Sequence, residues 1–298
     1  MSTTRPSWRT GGRRAWLPSP VVDPASDPLT FAGLMALEPH GPDTFIGISE
    51  PVPFPRVYGG QVAAQGLRAA AATVEDRYQV HSLHAYFIRP GVISEPIRFE
   101  VDRTRNGRSF VTRNVVARQS AGAIFSMSAS FKVAEDEAEV VLHRPPAGLV
   151  GPDGLESQRW GELLDRRPAP VPEELSSTTL TWLRITEDLG DDPLLQACAL
   201  AYCSDDMPTA AAILDHPAAR HGMEADDDWQ RFMAATLDHA IWFHRPLRAD
   251  QWHLHAFQGQ GLTGGRGLAM GRIYDGDGLH VATVAQEIVV REVRTDRG

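Results

Sequence analysis

The sequence predicts an α+β protein made of two tandem copies of one domain, each a long antiparallel sheet around a central helix. Three observations point there. Tyr86-Phe87-Ile88-Arg89-Pro90 recurs as Trp242-Phe243-His244-Arg245-Pro246, 156 residues later. A glycine-arginine turn follows each copy, at Gly107-Arg108 and Gly265-Arg266, and a terminal strand pattern follows Gly122 in one and Gly278 in the other, so the first and last landmarks keep the same offset. Each copy also holds one helical stretch among segments of alternating polarity. Solenoid repeats have periods of roughly 20 to 50 residues, so this spacing marks a duplicated domain of ordinary size.

The elements follow in order. Residues 1–28 carry Arg5, Arg9, Arg13 and Arg14 among Ser, Thr, Gly and Pro, with no acid before Asp23 and no amphipathic period, and are expected to be a disordered tail. The first domain, 29–135, has a helix opened by Gly59-Gly60 and running to Val74, its alanines suited to close packing on all sides. Period-two segments at Val80 to Phe87, Ile97 to Arg103, Ser109 to Arg118 and Ile124 to Val133 read as antiparallel strands. Residues 136–176, rich in acid and proline, are expected to be a linker with at most a short helix around Trp160 to Leu164. The second domain, 177–294, repeats the order. It has a strand near Leu180 to Thr186, a helix from Pro193 to about Ser204, and strands at Met233 to His244, His253 to Gln258, Leu268 to Tyr274 and His280 to Arg291. One helix wrapped by a meander of long strands is the hot-dog layout, so the two copies predict a double hot dog.

Composition narrows the function. The 298 residues are 42% hydrophobic and 22% charged, enough for two cores. A net charge of −9 without a basic stripe argues against nucleic acid as a partner. No apolar run reaches the roughly 20 residues of a membrane span, and the N-terminus lacks a secretory pattern. The expectation is a cytoplasmic protein with no membrane insertion. Cys198 and Cys203, five apart in a helical pattern, would lie about 8 to 9 Å apart and cannot pair with each other.

Several motifs have plain structural readings. Gly259-Gln-Gly-Leu-Thr-Gly264 fits G-x-G-x-x-G, but a strand follows where a phosphate loop needs a helix N-terminus. Asp238 and His239 are neighbours on a strand and point to opposite faces, so they form no dyad. No G-x-S-x-G elbow is present. His81 with His84, and His253 with His255, lack the further ligands of a metal site, so no metal is expected.

The chemistry-bearing signal lies where the copies differ. In register at the shared landmarks, Thr236 stands opposite Val80 and Gln286 opposite Ser130, so polarity is added to the second copy alone. Gln286 shares a strand face with Ala282, Val284, Ile288 and Val290, where an unpartnered amide costs roughly 1 to 3 kcal/mol. Either a backbone hydrogen bond or a functional partner would satisfy it. Asp205 is a second misfit, because a carboxylate is disfavoured at the C-terminal end of a helix. A solvated loop position or a function would account for it.

Arg56-Val-Tyr-Gly-Gly-Gln-Val-Ala-Ala-Gln65, the segment His81 to Pro90, Gly107-Arg-Ser-Phe110, Leu237-Asp-His-Ala-Ile-Trp-Phe-His-Arg-Pro246 and Val284-Ala-Gln-Glu287 together resemble bacterial acyl-CoA thioesterase II, the TesB-like family. The resemblance covers about residues 29 to 135 and 177 to 292. It implies a double hot dog that hydrolyses fatty acyl-CoA to free acid and CoA without a cofactor. In that family an aspartate, a threonine and a glutamine hold the attacking water, and the matching positions are Asp205, Thr236 and Gln286. Asp206, directly after Asp205, is a departure that offers a second carboxylate, and the basic N-terminal tail lies outside the pattern. Gly59, Gly60 and Gln61, at a glycine-led helix start, are candidate oxyanion donors, and Arg89, Arg108, Arg245 and Arg266 are candidate CoA phosphate contacts. A homodimer or homotetramer is expected. Two alternatives stand beside this reading. A hot-dog enoyl-CoA hydratase would need a D-x-N-P-x-H loop, and Asp205-Asp206-Met207-Pro208-Thr209-Ala210 lacks its asparagine and histidine. A non-catalytic acyl-CoA-binding protein would have no use for the Asp, Thr and Gln.

Overall fold

The structure, a computed structural model, describes residues 29–53, 55–175, 177–219 and 231–293. The expected N-terminal tail, 1–28, lies outside them. A short helix α1 (Phe31–Leu34) and strands β1 (Glu38–Pro39) and β2 (Thr44–Gly47) precede helix α2 (Gly59–Ala71) and strands β3 (Tyr78–Phe87), β4 (Ile97–Asn106), β5 (Phe110–Gln119) and β6 (Gly122–Val133). Strands β7 (Leu164–Ala169) and β8 (Thr178–Ile185) lead into helices α3 (Pro193–Cys203) and α4 (Pro208–Ile213). Strands β9 (Phe232–Thr236), β10 (Asp238–Phe243), β11 (His253–Thr263), β12 (Arg266–Tyr274) and β13 (His280–Glu292) complete the described chain. The short elements α1, β1, β2 and α4 carry too few residues to establish a period and were not anticipated.

The strands form one antiparallel sheet in the order β1-β2-β4-β5-β6-β3-β10-β13-β12-β11-β8-β7, with β9 beside β13. The second half of this order mirrors the first, and β3 and β10 join the copies from Tyr86 opposite Asp238 to Ser82 opposite Trp242. Alternating apolar residues of the sheet close over the two helices in one core. Gly60 through Leu67 of α2 are all buried, as are Cys198 through Cys203 at the end of α3. Both cysteines are buried and unpaired. No helix among the described residues is long and apolar enough to cross a membrane.

Small residues decide how the helices meet. A Cβ at Gly60 would sit 2.3 Å from the Tyr202 carbonyl oxygen, so only glycine allows the start of α2 to rest on the end of α3. The two helix starts differ chemically. Asp192 caps α3 by accepting from the Leu194 and Leu195 amides, and Pro193 has no N–H to offer. Tyr58 caps α2 with no side-chain bond, so the first amides of α2 carry their partial positive charge toward whatever lies ahead.

Two expectations are corrected. The stretch from Met233 to His244 is not one strand. Thr236 faces Ile288 and Ala240 faces Ala285, so the register against β13 slips by one residue between them, a β-bulge at Leu237. The Asp238 carboxylate accepts the Glu287 amide at 2.9 Å where the ladder is interrupted. The linker is also not wholly loop. Its Leu164–Ala169 becomes edge strand β7 beside β8, and no helix forms around Trp160. Edge strands tolerate proline and charge, and buried Asp165 gathers Arg159, Arg167 and Arg184 around it. The G-x-G-x-x-G stretch runs along β11 into the turn before β12, as the absence of a following helix predicted.

Candidate functional site

A cleft of about 670 Å³ opens where the start of α2 meets the end of α3. The first copy supplies Val57, Val62, Phe87, Ile124 and Phe125 to its wall, and the second supplies Met207, Ala210 and Phe232. Gly59, Asp205 and Thr236 add polarity at one place on this apolar lining.

Thr236 and Gln286, singled out by asymmetry between the copies, and Asp205, singled out by its place at a helix end, converge there. Gln286, fully buried on β13, donates from Nε2 to Thr236 Oγ1 at 3.0 Å, and Thr236 Oγ1 donates to Asp205 Oδ1 at 3.5 Å. The Gln286 amide and the Gly60 backbone N–H also bond the Asp205 carboxylate. Gly59 passes so close that a Cβ there would lie 2.6 Å from Asp205 Oδ2. Asp205 thus sits at the C-terminal end of α3 but faces the positive end of α2, which resolves its misfit with its own helix.

Asp205 is half-buried and lines the cleft. Burial raises its pKa to about 7, against the opposing pull of the Gln286, Gly60 and Thr236 hydrogen bonds. A carboxylate so placed is both ionised and basic near neutrality, the condition for a general base. Asp206 is held elsewhere. Trp160 Nε1 donates to its Oδ1 at 2.7 Å, and Arg166 Nε lies 3.1 Å from its Oδ2. Trp160 also packs against the rings of Tyr58 and Tyr202. Asp206 therefore ties the linker over the cleft while Asp205 meets Thr236 and Gln286.

His239, which forms no dyad with Asp238, belongs to the constellation. The two do point apart, Asp238 into the ladder and His239 inward. Buried His239 lies with Nδ1 2.5 Å from Gln286 Oε1 and Nε2 2.8 Å from Ser204 Oγ. Thr236 and His239 are three apart and would face opposite sides of a regular strand. The bulge between them brings both onto Gln286. The sequence carries the signal, a histidine opposite Leu83 of the first copy, but a continuous-strand reading hides its direction.

The first copy closes the equivalent place. Thr73 stands two residues past the end of α2, as Asp205 stands two past α3. Arg113, fully buried, donates to Thr73 Oγ1 at 2.7 Å, to Thr73 O at 3.0 Å and to Asn106 Oδ1 at 2.7 Å. Its counterpart 156 residues later is Ala269, cross-strand from Gln286. A guanidinium fills one copy where an alanine leaves room in the other.

The four candidate arginines are not brought together. Arg89 lines the cleft. Arg245 instead bonds Glu139 and the His280 carbonyl, Arg266 pairs with Glu287 at 3.3 Å, and Arg108 is not among the lining residues. Arg56, which composition gave no reason to single out, lines the cleft beside Arg89. Arg56 bonds the Ala234 carbonyl and Arg89 the Ala123 carbonyl, and neither has a carboxylate partner among the described residues. Of the oxyanion candidates, the Gly60 amide already bonds Asp205. The Gln61 side chain is spent on Glu50 N, Ile48 O and Gln65 Oε1.

Comparison with known proteins agrees with this architecture. Residues 49–132 match the acyl-CoA thioesterase N-terminal domain family and residues 137–290 the acyl-CoA thioesterase C-terminal domain family. The human protein named acyl-coenzyme A thioesterase 8 is 33% identical over 291 residues, 87% of this chain and 88% of that one. Acyl-CoA thioesterase 2 of Haemophilus influenzae is 32% identical over 280 residues, 87% and 96% of the two chains. Among solved structures, acyl-CoA thioesterase II TesB2 from Mycobacterium marinum superimposes with a TM-score of 0.77 at 39% identity, covering 88% of this chain and 98% of that one. A hot dog fold protein from Alicyclobacillus acidocaldarius gives 0.72 at 19% identity, a likeness of fold alone. With both halves matched in order and relatives above 30% identity along most of their length, the chain belongs to the acyl-CoA thioesterase family of hydrolases.

Proposed function

We propose that the protein hydrolyses fatty acyl-CoA to free fatty acid and CoA, with a water activated by Asp205 and positioned by Thr236 and Gln286. The observation that carries this reading is the convergence of a raised-pKa carboxylate, a hydroxyl and a buried amide at one point of an apolar cleft. Ionised Asp205 takes a proton from water as the water oxygen bonds to the thioester carbonyl carbon. The carbonyl electrons move onto oxygen, where the amides of Gly59 and Gln61 at the start of α2 act as donors, the Gly60 amide staying with Asp205. Collapse of this adduct restores the carbonyl and breaks the C–S bond. A thiol pKa near 8.5 makes CoA a good leaving group, and the proton held by Asp205 is available to the departing sulfur. The acyl chain suits the wall of Val57, Val62, Phe87, Ile124 and Phe125, and the CoA phosphates suit Arg56 and Arg89, cations without carboxylate partners among the described residues.

The test is free-thiol release across a series of acyl-CoA chain lengths. Turnover of a medium or long chain is expected without added metal and unchanged by chelator, because no step calls for a Lewis acid. Binding without thiol release at any length would favour the acyl-CoA-binding alternative, and loss of activity with chelator would contradict the mechanism. A second expected outcome follows from Arg113 in the first copy. A non-hydrolysable acyl-CoA thioether should titrate one equivalent per chain by calorimetry, and two equal sites would show that the Arg113 plug does not close the first copy.

A further inference from the structure

Every polar atom around Gln286 has an assigned role, and the proton count fixes how they connect. Nε2 of Gln286 serves Thr236 Oγ1 and the Asp205 carboxylate, both of which require a donor. Its Oε1 must then accept, and the atom facing it at 2.5 Å is His239 Nδ1. A neutral imidazole carries one N–H, so a hydrogen on Nδ1 leaves Nε2 as an acceptor. Ser204 Oγ, 2.8 Å away, is the group able to donate to it. Ser204 also lies 2.9 Å from the Ala201 carbonyl, but its single hydrogen can serve only one of the two. Were the amide reversed, Oε1 would face the Asp205 carboxylate, two acceptors opposed. Resting on the reading of Asp205, Thr236 and Gln286 as the water-holding set, we infer that His239 is a positioning residue: its Nδ1–H, set by Ser204, locks the Gln286 amide with its NH₂ toward Thr236 and Asp205.

Burial supports this tautomeric assignment, since it lowers the His239 pKa to about 4 and keeps the ring neutral at working pH. His239 stays a step behind the chemistry, because Thr236, Gln286 and Asp205 stand between it and the cleft. The copies agree with the assignment. The first copy has Leu83 at the matching position and, by strand pairing, Ala129 in place of Gln286, so the histidine is present where there is an amide to orient.

The experiment compares His239→Leu, His239→Asn and Gln286→Ala by steady-state kinetics on one long-chain acyl-CoA. It also reads the imidazole ¹⁵N shifts of His239 in the unmodified protein. Asparagine can present its side-chain N–H where Nδ1–H stood. The expected result is a fall in kcat of about 10- to 100-fold for His239→Leu with KM within about twofold. Recovery of most of that loss is expected in His239→Asn, with a protonated Nδ1 and an unprotonated Nε2 in the spectrum. A merely structural histidine would give equal losses in Leu and Asn variants, tracking their stability. Normal kcat in His239→Leu with a large loss in Gln286→Ala would overturn the role of His239 and spare the reading of the site. Normal kcat in Gln286→Ala would overturn both. Should His239→Leu fail to fold, the Asn variant and the spectrum still decide, and a hydrogen on Nε2 refutes the proposal.

Discussion

Asp205→Asn is expected to lower kcat by about 10² to 10⁴ with KM nearly unchanged, the signature of a group used in the transition state rather than in binding. The substitution keeps the side chain's shape and removes its basicity. It should also make the protein more stable above pH 7, which separates lost chemistry from lost folding. The folded pKa of Asp205, about 7, lies above its ordinary value of 3.8. Any stability linked to the protonated form is full below the lower value and is lost as pH rises through the higher one. At pH 8 the wild type holds a buried charge that the variant does not, a difference worth up to about 4 kcal/mol. Thermal melts of both proteins at pH 5.5 and pH 8 check this. An inactive variant that also melts lower at pH 8 would point to damage rather than to a missing base.

Gln286→Ala is expected to reduce kcat by about 10², the scale of a displaced reacting atom. Its amide is the junction of the constellation, bonded to Thr236 on one side and His239 on the other. Removing it frees the Thr236 hydroxyl to rotate and leaves His239 Nδ1 without its partner. If Gln286 and Asp205 serve one water, as proposed, the double variant should lose less than the product of the two single losses. Full multiplicativity, measured in the same assay, would mean that the two residues act independently.

The fold was legible because duplication supplies its own internal control. The Phe-x-Arg-Pro landmarks set the register of the copies and exposed Thr236, opposite Val80, and Gln286 as polar additions. That register is one residue out on the last strand, where a shifted bulge makes Ala129 rather than Ser130 the counterpart of Gln286. Asp205 was visible from its helix end alone. What escaped has physical causes. The Leu237 bulge turns Thr236 and His239 to the same face, and the hydrophobic period of two does not report one extra residue in a strand. Strand β7 was hidden by Pro168 and its arginines, which an edge tolerates and a central strand does not. The arginines near the glycine turns were plausible phosphate contacts by charge. Their partners Glu139 and Glu287 are brought near by folding, while Arg56 gained its position from a loop with no period to read.

The pH dependence of kcat/KM between pH 5 and 9 tests whether Asp205 acts as a base whose pKa is raised by burial. Activity should rise with pH through an apparent pKa near 7 as Asp205 ionises. The same acid limb should persist in Asp206→Asn, whose lost carboxylate is held by Trp160 and Arg166, and should vanish from the residual activity of Asp205→Asn. A flat wild-type profile, or an acid limb that survives in Asp205→Asn and disappears in Asp206→Asn, would contradict the assignment of the base.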